Sequence, residues 1–286
     1  MAVRNKRLEL IVSKHLLIEV SKCRVTILNQ KDRVVVVILI ETHIFGRLKA
    51  SSSDLNMYLS FIKALSELGE NIIREQHSLE NRDGLAGGIL PSGAKKRGRW
   101  ELVERDAFIF HYRSSVPFKM LKDDPENNIQ LFELSCSIKD VRCVVAFDSS
   151  VKYSDRVIFG IKTNKEISKA IEGAINELSS MLLIHEMDKS ELVEKRESRK
   201  VERPLDHHYL ALFDSRNLRI LNSLKLNQSR AYRLPDRRKE SINFKFQKFS
   251  SPVRFLSFYQ AKTDEIESIS FGVPEPGTKD LYLPFW

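Results

Sequence analysis

The sequence predicts an α+β fold of mainly antiparallel β-sheets, each backed by a long helix, and three observations carry that expectation. β-type runs come first and a helical period follows, and this order occurs twice along the chain, as a duplicated strands-then-helix unit would show. The longest apolar run, Val34–Ile40 (VVVVILI), is dominated by β-branched residues and is too short to cross a bilayer. With 42% hydrophobic residues among 286, the chain can bury a core in two domains or one large one.

Taken in order, RLELIV (Arg7–Val12), LLIEV, CRVTIL and RVVVVILIETHIF read as strands, with NQKD (29–32) as a turn. Leu55, Leu59, Ile62, Leu65 or Leu68, and Ile72 then fall at helical spacing, with Ser53 as the N-cap. Glycine, proline, serine and charge dominate His77–Arg99, the mark of a linker or exposed loop. RWELVERDAFIFHYR (99–113), IQLFELSCSI, VRCVVAF and DRVIFGIK read as strands. A helix carrying Ile167, Ile171, Ile175, Leu178 and Leu182 follows them. Thr163 with Glu166 fits a capping box at its start, and Asn164 is the alternative cap. The mixed-charge run 188–203 reads as a solvated helix end or second linker. The segment from His207 onward returns to β patterning, with INFKFQKF (242–249) alternating, and VPEPGTKDLYLPFW (273–286) closes the chain irregularly. The expected divisions are a β-sheet-plus-helix unit at 1–80, a basic linker at 81–99, a second such unit at 100–190 and a β-rich segment at 191–286.

Cys23, Cys136 and Cys143 show no metal-ligand spacing and form no disulfide framework, which points to a reducing compartment. The charge-broken N-terminus lacks a signal peptide's apolar core, so the expected location is intracellular, cytoplasmic or nuclear, with no membrane partner. His207 and His208 are adjacent and point to opposite faces of a strand. HEMD at His185–Asp188 lacks the second histidine of a zinc protease. GLAGG at Gly84–Gly88 lacks the lysine of a phosphate-binding loop.

The joint DRVIFGIKTNKEI places Lys162 at a strand end before a helix. Asp148 or Asp155 could serve as a first acid and Glu166 or Glu172 as a displaced second one. This outline resembles that of the PD-(D/E)XK nucleases, although Gly160 stands where the motif has its ligand. The resemblance implies a magnesium or manganese ion held by the acids, with Lys162 on the attacking water. Otherwise no cofactor or metal is expected.

The basic surplus, 47 Lys+Arg against 38 Asp+Glu for a formal charge of +9, favours a polyanion. Lys95, Lys96, Arg97 and Arg99 flank Trp100, and Arg233, Arg237, Arg238 and Lys239 follow Tyr232. Cations track phosphates and rings stack on unpaired bases, so this mixture suits single-stranded DNA or RNA. Phe244, Phe246 and the other alternating phenylalanines fit the core face of a hairpin. The strands-then-helix order is similar in layout to Pur-type and Whirly-type binders. Three readings follow: a non-enzymatic nucleic-acid-binding protein, the metal-dependent nuclease, or a protein-interaction or structural protein, viral ones included. Protein partners or a homo-oligomer are compatible with each.

Overall fold

The computed structural model describes residues 2–30, 33–79, 83–150, 154–187, 210–225, 232–267 and 281–284. The expectations for 188–203, for His207 and His208, and for most of 273–286 lie outside these residues, as do two positions of the turn at 29–32. The fold is α+β. Strands β1 (Ala2–Arg4), β2 (Lys22–Gln30), β3 (Arg33–Thr42) and β4 (Gly46–Asp54) form an antiparallel meander in that order. The VVVVILI run is the interior strand β3, where Val35, Val36, Val37, Ile38 and Ile40 are buried. A strand covered on both faces needs continuous apolar residues instead of alternation. Helix α1 (Lys6–His15) and helix α2 (Met57–His77) supply Val12, Phe61, Leu65, Leu68 and Ile72 to the core that Val36, Ile38 and Ile40 enter.

Strand β5 (Leu85–Gly88) and the N-terminal part of helix α3 (Pro91–Ser114) occupy much of the stretch whose composition reads as a loop. β5 pairs with β11 (Ser257–Lys262), and β11 pairs with β10 (Lys245–Phe249), so a distant hairpin completes this sheet. Phe258 of β11 lies against α2 at Gly69, where a Cβ would sit 2.3 Å from the ring. A second meander follows, of β6 (Lys119–Asp124), β7 (Ile129–Leu134), β8 (Arg142–Asp148) and β9 (Phe159–Asn164). Helix α4 (Ile167–Met187) covers one face through Ala170, Ala174 and Leu178, which meet Leu131, Val144 and Ala146. Rings of Phe118, Phe132, Phe147 and Phe159 gather with Phe108 of α3, the closest pair 5.0 Å between centroids. A 3₁₀ turn (Ala211–Phe213) and helix α5 (Ser215–Lys225) complete the elements among the described residues.

The chain divides into two compact units: Met1–Trp100 with Phe244–Thr263, and Glu101–Asn243 with Asp264–Trp286. Several local expectations are corrected. RLELIV is helical, because Asn5 caps α1 by accepting the Leu8 amide and Val12 turns inward at helical spacing. RWELVERDAFIFHYR belongs to α3. Leu102, Val103, Ala107, Phe108 and Ile109 are all buried there, and a helix covered around most of its girth shows no one-sided period. The stretch before Lys225 is helical, with Asn217, Leu221 and Leu224 inward. Asn56 caps α2 by accepting the Tyr58 and Leu59 amides, while Ser53 remains in β4. At α4, which begins at Ile167, the Glu166 carbonyl accepts the first helical amide; Thr163 and Asn164 both end β9, and Asn164 accepts the Glu166 amide in the turn between.

His111, wholly buried on α3, is structural. Its Nε2 accepts the Ser135 amide at 2.8 Å, which leaves Nδ1–H to donate to the Val116 carbonyl at 2.8 Å. Burial, with Arg237 nearby, pushes its pKa down to about 4 from 6.5. A base depressed in the folded state gives stability that is full above the unfolded pKa and is lost as pH falls toward the folded one. The expected loss between pH 6.5 and 4 is about 3 kcal/mol, absent in His111→Gln, read by urea melts across that range.

Candidate functional site

An open cleft of about 700 Å³ lies in the first unit. α1 contributes Arg7, Leu8, Ile11 and His15 to it, and α2 contributes Met57, Tyr58, Phe61 and Ile62. Ile89, between β5 and α3, and Phe255, before β11, complete the wall with Asn5. Each helix turns one stripe into the core and the adjoining stripe into the cleft: Val12 and Leu65 go inward, Ile11 and Ile62 outward. At the rim Met57 is 45% exposed, Tyr58 65% and Ile89 57%, and their sequence neighbours Leu55, Leu59 and Leu90 are also exposed. Large apolar side chains gathered at one opening mark a surface that another molecule covers. Of the helical stripe expected from Leu55 and Leu59 through Ile72, Leu55 and Leu59 are exposed, Ile62 is partly buried, and Leu65, Leu68 and Ile72 are buried.

Polar groups of the cleft are few and one-sided. Glu9, the only acid of α1, turns away to pair with Arg4 at 2.7 Å and to accept the Val25 amide, and those bonds hold its carboxyl below the usual carboxylate range. Lys6, Arg7 and Lys14 stay exposed, and Arg7 makes no ion pair with a described residue. The His15 ring meets Phe255 edge-on at 5.2 Å, and its buried Nδ1 has no hydrogen-bond partner. The site can therefore seat an apolar chain and meet an anionic or carbonyl group at its walls.

The residues singled out from the sequence lie elsewhere. Arg97 donates to the Gly87 carbonyl at 2.8 Å and to the Ser66 hydroxyl at 3.1 Å, and stands 3.7 Å from the buried carboxylate of Glu70. Glu70 accepts the Gly87 amide at 2.8 Å, and burial raises its pKa to about 7. Lys95 lies 4.9 Å from the Tyr259 ring centre and 5.4 Å from that of Phe246. Lys96 covers Trp100 at 4.3 Å, and Arg99 lies 5.9 Å from Phe244. Arg237 lies over Phe110 and pairs with buried Asp106 at 3.1 Å, Arg238 pairs with Asp236 at 2.7 Å, and Lys239 donates to the Glu265 carbonyl at 2.8 Å. Tyr232 is half-buried, its hydroxyl pKa raised by burial, and Arg233 is exposed. Arg97, Arg237 and Arg238 thus neutralise this chain's own carboxylates, and Lys95, Lys96 and Arg99 lie over its own rings.

The nuclease constellation is dispersed. Lys162 is committed to buried Glu104 of α3 at 3.1 Å. Asp148 accepts from Ser150, Asp155 pairs with Arg156, and Glu166 pairs with Lys169 on the surface. Glu172 is exposed on α4. No group of three possible metal ligands occurs among the described residues. The polar cluster around Lys162 closes a strand: Glu104 accepts the Thr163 amide at 2.7 Å and Glu177 of α4 accepts the Ile161 amide at 3.3 Å, both on the free side of β9. Burial pushes Glu177 up to about 7 and the Cys143 thiol well above its usual value. Arg7, His15, Met57, Tyr58 and Ile89 are absent from the residues singled out in the sequence, and Phe255 figures there only among the phenylalanines of the C-terminal hairpin. The only trace of them there is the apolar first turn of α2, which continues past the end of the core.

No family model matches the chain, and no curated protein sequence does. Solved structures are similar to it over part or most of the chain. A chain of the E. coli microcin synthetase McbBCD complex is 9% identical with a TM-score of 0.57, over 87% of this chain and 90% of that one. YcaO from Methanopyrus kandleri, bound with AMPPCP and Mg2+, is 14% identical with a TM-score of 0.48, over 64% of this chain and 65% of its own. A heterocyclase in complex with substrate and cofactor is 15% identical with a TM-score of 0.45, over 65% of this chain, which spans 28% of it. The expectation of nucleic-acid binding is overturned on two counts. The chain shares its layout nearly end to end with part of a synthetase, and Arg97 and Arg237 are held by this chain's own groups. Among the described residues no helix is long and apolar enough to cross a membrane.

Proposed function

We propose that the protein is a peptide-handling subunit of a multi-protein, peptide-modifying synthetase, working inside the cell with protein partners. The observation that carries this is the open apolar cleft, set on a fold that corresponds over nearly the full length of both chains to a component of a microcin synthetase complex. In such a division of labour one subunit holds the substrate while another performs the chemistry. Holding it raises the substrate's effective concentration at the reacting subunit. An interaction protein in the general sense, the third reading of the sequence, becomes this specific role.

The test is reconstitution. The full chain, the proteins encoded beside its gene and their precursor peptide are mixed, and peptide mass is followed with time. Leaving out this chain is expected to slow the mass change about a hundredfold at low peptide concentration, with the difference shrinking as peptide is raised. A rate that does not depend on the chain overturns the proposal.

A further inference from the structure

We propose that the cleft of the first unit selects an amphipathic peptide segment bearing acidic side chains, a specificity that rests on the function proposed above. Its apolar side chains enter between α1 and α2, and a carboxylate meets Arg7.

The two requirements come from independent observations. Tyr58, Met57 and Ile89 stand largely exposed at one opening, and covering them removes apolar surface from water without moving the core behind them. This half selects apolar side chains and is indifferent to charge. The other half is set by α1. Its one acid is turned to Arg4 and β2, so the helix presents Lys6, Arg7 and Lys14 to solvent with no counter-charge of its own. An acidic ligand gains from that field and a basic one is repelled. Arg7 offers a planar fork of donors that a carboxylate accepts in pairs.

His15 fixes the extent. Its unpartnered Nδ1 lies two helical turns beyond Arg7, about 12 Å along the axis. A bound segment that reaches both spans about four extended residues or two turns of helix. Grooves between two helices take amphipathic helices in this manner, anchored by side chains three and four apart. The cleft volume of about 700 Å³ suits a few side chains and not a folded domain.

The experiment uses the full chain and dye-labelled synthetic peptides in fluorescence anisotropy. One peptide alternates Leu and Phe with Glu at helical spacing, a second replaces every Glu by Lys, and a third replaces every Leu and Phe by Ser. The first is expected to bind, with the other two weaker by about tenfold or more, and its affinity is expected to fall as salt rises. Arg7→Glu is expected to reverse the preference between the first two. Tyr58→Asp, at an exposed position, is expected to weaken binding of the first without changing the melting curve. Equal binding of the Glu and Lys peptides overturns the charge rule. No binding of any peptide to folded protein overturns the inference, while the reconstitution above still decides the function it rests on. A dimer that Tyr58→Asp dissociates overturns it in favour of a second copy as the occupant.

Discussion

Gly160→Asp, which would complete the acid-x-Lys pattern on β9, is expected to unfold the second unit and to confer no magnesium-stimulated cleavage. A Cβ at this position would lie 2.2 Å from the Ala174 carbonyl oxygen and 2.3 Å from the Leu178 nitrogen. Both are backbone atoms of α4, so the whole helix must lift from the sheet that Ala174 and Leu178 cover. Overpacking costs about 1–3 kcal/mol even where side chains can adjust, and here none can. A carboxylate between sheet and helix adds a further few kcal/mol for lack of a partner. Together, roughly 5 kcal/mol is comparable to the entire stability of an ordinary domain. Hydrogen exchange is expected to show β8, β9 and α4 unprotected while β3 stays protected, since β3 belongs to the other unit. Gly160→Ala isolates the steric part and is expected to fall between. A native melting curve for Gly160→Asp would refute this account of the joint.

Arg97→Ala is expected to destabilise the protein more at pH 8 than at pH 5. The Glu70 carboxyl titrates at about 7 instead of 4.5, because burial outweighs the attraction of Arg97 and Arg74. An acid raised in the folded state contributes stability that is full below its unfolded pKa and disappears as pH rises through the folded one. At pH 8 the folded protein holds a buried carboxylate, and removing the cation beside it is expected to cost up to about 1.4 kcal/mol beyond the lost hydrogen bonds, since past that limit the carboxyl takes up a proton. At pH 5 the carboxyl is protonated, and only the bonds to the Gly87 carbonyl and Ser66 are lost, about 1 kcal/mol. Adding Glu70→Gln is expected to restore most of the loss at pH 8. His111 titrates alike in every variant and cancels from the comparison. Equal losses at both pH values in urea melts would refute the expectation.

The order of strands and helices was legible where burial is one-sided or complete. VVVVILI could only be an interior strand, and the stripe through Leu65, Leu68 and Ile72 could only be helical. α3 was illegible for the opposite reason, since a helix with Phe108 and His111 inward and Leu102 and Val103 also covered loses its period. The hairpin of β10 and β11 reads clearly as a hairpin, yet nothing local says that it pairs with β5 some 170 positions away, Gln260 opposite Leu85. Charge misled in a similar way. Composition counts Arg97 and Arg237 as free cations, whereas Glu70 and Asp106, remote in sequence, hold them. The cleft combines Leu8, Tyr58, Ile89 and Phe255, four separate segments, and no window of sequence contains more than one of them.

Each unit seals one flank of a sheet with acids reaching across from a helix. Glu70, together with Arg97, occupies both backbone groups of Gly87, and Glu104 with Glu177 takes the amides of β9. Backbone engaged in this way is withdrawn from pairing with a neighbouring molecule at Gly87 of β5 and at the Ile161 and Thr163 amides of β9. A strand added along either flank must first displace these side chains from the backbone they hold.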